Sequence, residues 1–404
     1  MIFDESVFDI SEEIPAVKVP AKLVGKLLKH ERIEKHILSR SGFKPVHTSP
    51  DIGKEYRVVL LSDKLPADLL DLFEGEETTF TLTSGYRDLN TEESLRRLLP
   101  DVTELPSSFE TIGHIAHMNL REEFQPHKKL IGQVILDKNP HIETVITKIG
   151  TLANEFRTFD KEIIASRKGN NSLVASVSEN KMRLKIDYER CYWNSRLSTE
   201  RMRLLKQFSS SDFAKSRLID MCCGVGALAC FAAKEGIEVY ANDLNPWAVA
   251  CARENSLKNK VDVETFNMDG REFVRSLVKG GKLAECKFNH VMINLPEIGL
   301  SFLDVFAGLF NTQEELNSNV FRIYCHCFSR EKPPKDCRTR TLAALGLDEQ
   351  VEGRLALLKD ELEISTVFVR DVSPNKIMYC VEFTVPDEIL LANNVPKKVR
   401  ADFS

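Results

Sequence analysis

Apolar and polar positions fall into three textures along the chain. Within residues 18–40, Leu23, Leu27, Ile33 and Ile37 recur at roughly helical spacing while Lys22, Lys26 and Lys29 share another face, which predicts a docked amphipathic helix. Residues 55–61 read as a buried strand, and residues 78–84 alternate Thr with Phe and Leu as a half-exposed strand does. From about Leu105 the texture changes: residues 112–120 and 144–148 look like strands around a helix at 129–136, with a turn at Asp137-Lys-Asn-Pro140. Alternation returns in residues 156–164 and 182–188, which are expected to extend that sheet.

After Trp193 strands and helical segments take turns. Strands are expected at 217–221, 238–242, 261–265, 290–294 and 365–370, and this repetition implies a doubly wound, mostly parallel sheet with ligands at the carboxyl ends of its strands. Residues 377–384 follow closely behind a turn at Ser373-Pro-Asn and are expected to form an antiparallel edge strand. The fold class is therefore α/β, a Rossmann-like domain at residues 191–404 preceded by smaller α+β domains at 1–104 and 105–190.

Composition narrows the partners. The 404 residues are ample for several domains, and 43% apolar with 28% charged residues is ordinary globular usage. The net charge of −5 gives no global positive field, so a nucleic-acid site must be a local patch. Residues 18–40 hold seven Lys/Arg against Glu31 and Glu34 and offer one such patch, with a plain solvated face as the alternative. The longest apolar or small-residue stretch, 221–233, is too short for the roughly 20 residues of a membrane span. The acidic amino terminus lacks the apolar core of a secretion signal. All ten cysteines lie between Cys191 and Cys380, which suits buried reduced thiols. Cys325-His326-Cys327 with Cys337 invites a zinc reading, but no second C-x-x-C pair accompanies it; the cluster is taken as structural and no metal is expected.

The candidate chemistry sits at the strand ends. Asp220 precedes Gly224 and Gly226 in a turn before a helix, where backbone can approach a ligand closely. With Ala229 the loop also passes as a dinucleotide fingerprint. Asp243 ends the next strand and can accept hydrogen bonds from ribose hydroxyls, which NAD and S-adenosylmethionine both provide. Asp269-Gly270 ends the third strand, placing an acid for an adenine amino group, and Asn294-Leu-Pro296 ends the fourth, offering a donor and an acceptor to a nucleobase. The four features in this order point to S-adenosylmethionine. Glu297 stands where an aromatic residue would favour methylation of an exocyclic amine, so a ring nitrogen is the expected target.

Together with His114-x-x-His117-Met-Asn119-Leu120, Phe156-Arg157-Thr158, the run from Tyr192 to Arg201, and Arg370-Asp-Val-Ser-Pro-Asn-Lys-Ile-Met-Tyr-Cys380, these motifs make residues 105–385 resemble the eukaryotic and archaeal tRNA (guanine-37-N1)-methyltransferase family. The resemblance implies Glu200 as general base, Arg157 as the group that stabilises charge on guanine O6, and Asn294 with Pro296 shaping the pocket. It also places Arg201, Asp243, Leu244, Asp269, Gly270 and Asn294 around the cofactor, beside the Asp220–Gly224–Gly226 loop. It further implies a tRNA partner gripped by the two amino-terminal domains, a monomer, and service to cytoplasmic and nuclear tRNA, with the mitochondrial matrix as a further place. The residues by themselves also allow Glu200 simply to pair with Arg196 or Arg203 on one helix. Rival functions are a tRNA-binding protein without turnover, an aminocarboxypropyl transferase of wybutosine synthesis, and a NAD-dependent oxidoreductase. Two positions depart from the family: Ser195 where Pro is common, and Glu297 where a small residue is common.

Overall fold

The computed structural model describes residues 5–40, 42–48, 50–149, 160–169, 171–210, 216–284, 286–347 and 354–391. Its contacts divide the chain into two compact units. One holds Met1–Glu110, Ala116–Lys148 and Glu162–Asn171, and the other Thr111–Ile115, Ile149–Lys161 and Ser172–Ser404.

In the first unit, β1 (Ile10–Pro20) leads into two single-turn helices, α1 (Val24–Leu27) and α2 (Glu31–Glu34). The continuous helix expected over 18–40 is thus not formed: Lys18 and Pro20 belong to a strand, and His30 is extended, breaking the helix between α1 and α2. The apolar face itself is realised, because Leu27 and Ile33 are fully buried and Leu23 and Ile37 pack against the same cluster. β2 (Val46–His47), β3 (Tyr56–Leu60), α3 (Ala67–Leu72) and β4 (Glu76–Ser84) complete an antiparallel sheet ordered β2-β3-β1-β4. Lys18 on β1 is held to Glu76 on β4 at 2.9 Å. α4 (Thr91–Leu98) begins at a capping box between Asn90 and Glu93. Beyond it β5 (Glu110–Ile112), β6 (Ile115–Met118), α5 (Lys128–Lys138), β7 (Thr144–Ile149) and β8 (Asp160–Ser166) follow, the strands forming a sheet in that order. α5 buries Ile131, Val134 and Ile135 in a core shared with Phe8, Leu95 and Val145.

From Ser172 onward the second unit carries a hairpin of β9 (Val174–Glu179) and β10 (Met182–Asp187), turned by Asn180 and Lys181, both at positive φ. Residues 182–188 therefore do not extend the β5–β8 sheet as expected. β10 is instead tied to a helix of the large sheet: the Lys185 backbone N–H donates to Asn255 Oδ1 at 2.6 Å, and Asn255 Nδ2 donates to the Lys185 carbonyl at 2.9 Å.

After α6 (Ser198–Phe208) come β11 (Ser216–Asp220), α7 (Ala227–Lys234), β12 (Glu238–Asn242), α8 (Pro246–Asn259), β13 (Glu264–Phe266), α9 (Gly270–Lys279), β14 (Phe288–Ile293), β15 (Val320–Ser329), β16 (Ser365–Ser373) and β17 (Lys376–Thr384). The sheet order is β13-β12-β11-β14-β15-β17-β16. The first five are parallel, as an α/β Rossmann-like sheet requires, and β17 runs antiparallel between β15 and β16. The expected edge strand is antiparallel but interior; β16 holds the edge. β15 was not expected as a strand at all. Paired on both sides, it is mostly buried, and its apolar run is interrupted by Arg322 and His326.

Candidate active site

The carboxyl ends of β11, β12 and β13 are stitched together by a residue without any exposed surface. Asn242 donates from Nδ2 to the carbonyls of Met221 at 3.1 Å and Met268 at 3.0 Å, and its Oδ1 accepts from the Met268 N–H at 3.1 Å. Asn267 adds a second brace, donating to the carbonyls of Asp243 and Leu244 at 2.8 and 3.0 Å. Neither asparagine was singled out from the sequence. Asn242 could have been, because a polar residue at the last position of a buried strand needs partners.

On this frame stand most of the expected cofactor residues. Asp220 is buried and, among the described residues, receives the Cys222 N–H at 3.4 Å; burial, assisted by the charge of Asp243, pushes its carboxyl up to about 7. Gly224 and Gly226 both adopt positive φ. At Gly226 a Cβ would stand 2.8 Å from Cβ of Ala252, so close packing of α7 on α8 demands glycine. At Gly224 a Cβ would meet nothing within 4 Å, so this side of the loop is open to a ligand. Asp243 accepts the Gly224 N–H at 2.8 Å through Oδ2 and the Asn245 N–H at 2.9 Å through Oδ1, while burial raises its carboxyl. Asp269 caps α9 by accepting the Arg271 N–H at 2.8 Å, Gly270 packs beneath Phe302, and the Leu244 side chain is exposed. Arg201 is placed differently from these. It makes a two-pronged ion pair with Glu179 on β9, at 2.7 and 2.6 Å, with its guanidinium 4.7 Å from the Trp193 ring centre.

The second cluster lies between α6, β14 and β15. Asn194 Oδ1 accepts the Arg196 N–H at 3.0 Å and starts the turn that leads into α6. One turn into that helix, Glu200 is 6% exposed and receives Arg203 Nε on Oε2 at 2.7 Å and Arg203 Nη2 on Oε1 at 2.8 Å. His326 Nε2 reaches the same Oε1 at 2.9 Å, and its Nδ1 lies 2.9 Å from Oδ1 of Asn294. Burial pushes the Glu200 carboxyl up, but the hydrogen bonds and charges of Arg203 and His326 outweigh it and hold the group below its usual range. Arg203 also donates to Glu382 at 2.7 Å. The Pro296 carbonyl accepts the Phe328 N–H at 3.1 Å, which pins the 294–296 turn to β15.

Glu200 and Asn294 are thus brought together, and the residue that joins them is one the sequence reading set aside. His326 shares β15 with Cys325 and Cys327, but alternation turns the two kinds of side chain to opposite faces. Cys327 and Cys337 meet each other, sulfur to sulfur at 3.3 Å. The Glu200, His326 and Cys380 polar atoms all lie within 4.8 Å. Both carboxylate oxygens and both imidazole nitrogens already have hydrogen-bond partners, so Glu200 and His326 form a hydrogen-bonded cluster with Arg203 and Asn294, and the Cys380 thiol lies beside it. The helix pairing of Glu200 with Arg203 that the residues allowed is also realised. Glu297 turns to solvent and pairs with Lys376 at 3.0 Å. Arg157 lies outside the described residues.

Comparison with known proteins settles the lineage. The tRNA (guanine(37)-N(1))-methyltransferase of Danio rerio is 37% identical over 414 residues, spanning 96% of this chain and 82% of that protein. The protein of the same name from Phytophthora infestans is 35% identical, spanning 97% and 94%. The chain belongs to the tRNA (guanine(37)-N(1))-methyltransferase family. Its residues 175–314 match the TRM5/TYW2 methyltransferase domain and residues 91–171 the TYW2 N-terminal domain. Among solved structures, Trm5b from Pyrococcus abyssi is similar at a TM-score of 0.61 and 25% identity, covering 92% of this chain and 98% of that one. The family's methyltransferase segment begins inside β9, and the compact unit likewise takes in the β9–β10 hairpin. The boundary expected at 190/191 falls beyond that hairpin.

Proposed function

We infer that this chain transfers the methyl group of S-adenosylmethionine to N1 of guanosine 37 of tRNA, next to the anticodon. The observation that carries the reading is the buried Glu200 joined through His326 to Asn294, in a family member whose relatives are named for this reaction. The residues present fit the cofactor: Gly224 leaves open space beside the loop, and Asp243 and Asp269 follow successive strands. Bound S-adenosylmethionine supplies an electrophilic methyl on sulfur.

The chain's own residues supply the rest. Guanine N1 bears a proton at neutral pH, so its attack needs a base, and O6 gains negative charge as the proton leaves. Glu200, held ionised, accepts that proton; Asn294 and the rigid Pro296 shape the guanine side; family resemblance assigns the stabilisation of charge on O6 to Arg157. Substrate tRNA is held by phosphate contacts from basic residues of the amino-terminal region, Lys22, Lys26 and Lys29 among them, and guanosine 37 swings out of its loop to react. The enzyme acts as a monomer on cytoplasmic and nuclear tRNA, with the mitochondrial matrix as a further site. Among the described residues no helix is long and apolar enough to cross a membrane. The outward pairing of Glu297 with Lys376 removes the oddity that motivated a reading without turnover.

Labelled methyl transfer to unmodified tRNA with guanine or adenine at position 37, followed by nucleoside mass spectrometry, tests the reading. The expected product is 1-methylguanosine, absent from the adenine transcript and reduced at least about 100-fold in Glu200→Gln. Cofactor and tRNA binding without product would overturn it.

A further inference from the structure

A single imidazole bridges two groups whose hydrogen-bonding needs differ. His326 is 2% exposed, with Nε2 against the Glu200 carboxylate and Nδ1 against the Asn294 amide, both at 2.9 Å. An ionised carboxylate only accepts hydrogen bonds, so Nε2 must carry a proton in either charge state of the ring. The state of Nδ1 then depends on how many protons the ring holds. With one proton, Nδ1 is a bare acceptor and Asn294 must turn its NH2 toward it, which frees the amide oxygen. With two protons, Nδ1–H donates to Oδ1 and the amide NH2 is the free end. Which end of an asparagine amide faces a partner is settled by such networks.

We propose that His326 is a positioning residue that couples the two sides of the pocket: its proton count sets which end of the Asn294 amide is presented to the target base while Nε2–H holds Glu200 in place. The inference rests on the reading that Glu200 and Asn294 line the reacting pocket. A second ring proton therefore reverses the polarity that Asn294 offers while the Nε2–H contact with Glu200 is kept.

The groups around the ring are consistent with this role. From α6 come Glu200 and the Arg203 guanidinium, the latter also bound to Glu382 of β17. From β17 the cross-strand partner Cys380 presents a thiol that burial keeps neutral. Arg322, on the same strand as His326, lies 3.9 Å from Glu382. Glu200 is the carboxylate in direct contact with the ring.

The test uses His326→Gln, whose amide nitrogen can still donate to Glu200 but neither titrates nor reaches both partners. Single-turnover methyl transfer is measured against pH for the wild type, His326→Gln and His326→Ala, with dissociation constants for cofactor and tRNA. The expected result for His326→Gln is a rate at least tenfold lower at neutral pH, affinities within about threefold, and an acid limb displaced to lower pH. A rate within twofold of wild type, or an unchanged acid limb, would overturn the proposal. So would parallel loss of folding and cofactor binding in both variants, which marks a structural role. Imidazole nitrogen NMR on the free enzyme reads the same coupling without turnover. The Nδ1 proton of His326 should appear on acidification in the wild type, and Asn294→Ala should shift the pH at which it does. If the wild type makes no 1-methylguanosine while this coupling is seen, the functional reading fails and the proton coupling stands; no Nδ1 protonation, or no shift in Asn294→Ala, overturns the coupling itself.

Discussion

Arg203 holds both carboxylate oxygens of Glu200 from one turn further along the same helix, at 2.7 and 2.8 Å. The same guanidinium reaches Glu382, so one cation stands between two carboxylates that are 6% and 3% exposed. Removing it leaves Glu200 with His326 and Glu382 with Gln207 at 3.3 Å and Arg322 at 3.9 Å, and takes from both buried carboxylates the cation in closest contact, whereas an exposed pair of the same spacing is worth little.

Arg203→Met is therefore expected to lose about 3–5 kcal/mol of stability at neutral pH, read by denaturant unfolding. The sign of its pH dependence follows from Glu200. A carboxyl held below its ordinary 4.5 contributes stability that is fully present above that value and is lost as pH falls through the lower, folded value. The deficit of Arg203→Met should thus narrow in acid, because the wild type loses there what the variant already lacks. A deficit that is constant with pH would show that packing of the arginine stem, not its charge, is what matters.

Asp220 works in the opposite direction. Its carboxyl is raised from 3.8 to about 7, chiefly by burial, so the folded state holds a proton that the unfolded chain releases. The resulting cost is absent below pH 3.8, grows as pH rises, and is complete above about 7. Asp220→Asn should be more stable than the wild type at pH 8, by up to about 4 kcal/mol, and no more stable near pH 4. Thermal unfolding of both proteins across that range decides it, and equal curves at pH 8 would remove the argument.

Glu297 raised the question of whether a carboxylate intrudes on the pocket. Its 3.0 Å pair with Lys376 is solvent-exposed on both sides, and such pairs contribute about 1 kcal/mol or less. Glu297→Ala is expected to change the methyl-transfer rate less than threefold and stability by under about 1 kcal/mol. A gain in rate of tenfold would mean that the charge is felt in the pocket after all.

How far the sequence reached depended on local signals. β11 and β12 were legible because each is a short buried strand closed by a polar end and a turn, and the acids at those ends fell where the sheet topology puts ligands. β15 was not, since Arg322 and His326 interrupt its apolar run and Cys325-His326-Cys327 with Cys337 was taken as a structural cluster rather than as part of a strand. That one omission hid His326, the link between Glu200 and Asn294, although both of those residues were named. The helix expected over residues 18–40 failed for a different reason: strand pairing of Lys18 with Glu76 and the extended backbone at His30 override a periodicity that the buried Leu27 and Ile33 still obey.

Arg201 shows the same limit at the cofactor end. Family resemblance puts it beside the cofactor, yet its guanidinium is committed to Glu179 by two hydrogen bonds of 2.7 and 2.6 Å, with both side chains almost wholly buried. Glu179 belongs to the β9–β10 hairpin, so the pair fastens that hairpin to the helix that carries Glu200. The two roles separate by substituting each partner. If Arg201 acts by fastening, Arg201→Leu and Glu179→Ala should lose similar stability, about 3 kcal/mol each, and both should bind S-adenosylmethionine within about threefold of wild type. If Arg201 touches the cofactor, Arg201→Leu alone should weaken binding tenfold or more, and Glu179→Ala, which frees the guanidinium, should not. Unfolding curves paired with calorimetric titration of the cofactor distinguish these outcomes. The buried two-pronged geometry favours the first, because a guanidinium so engaged would have to break a desolvated ion pair before it could serve a ligand.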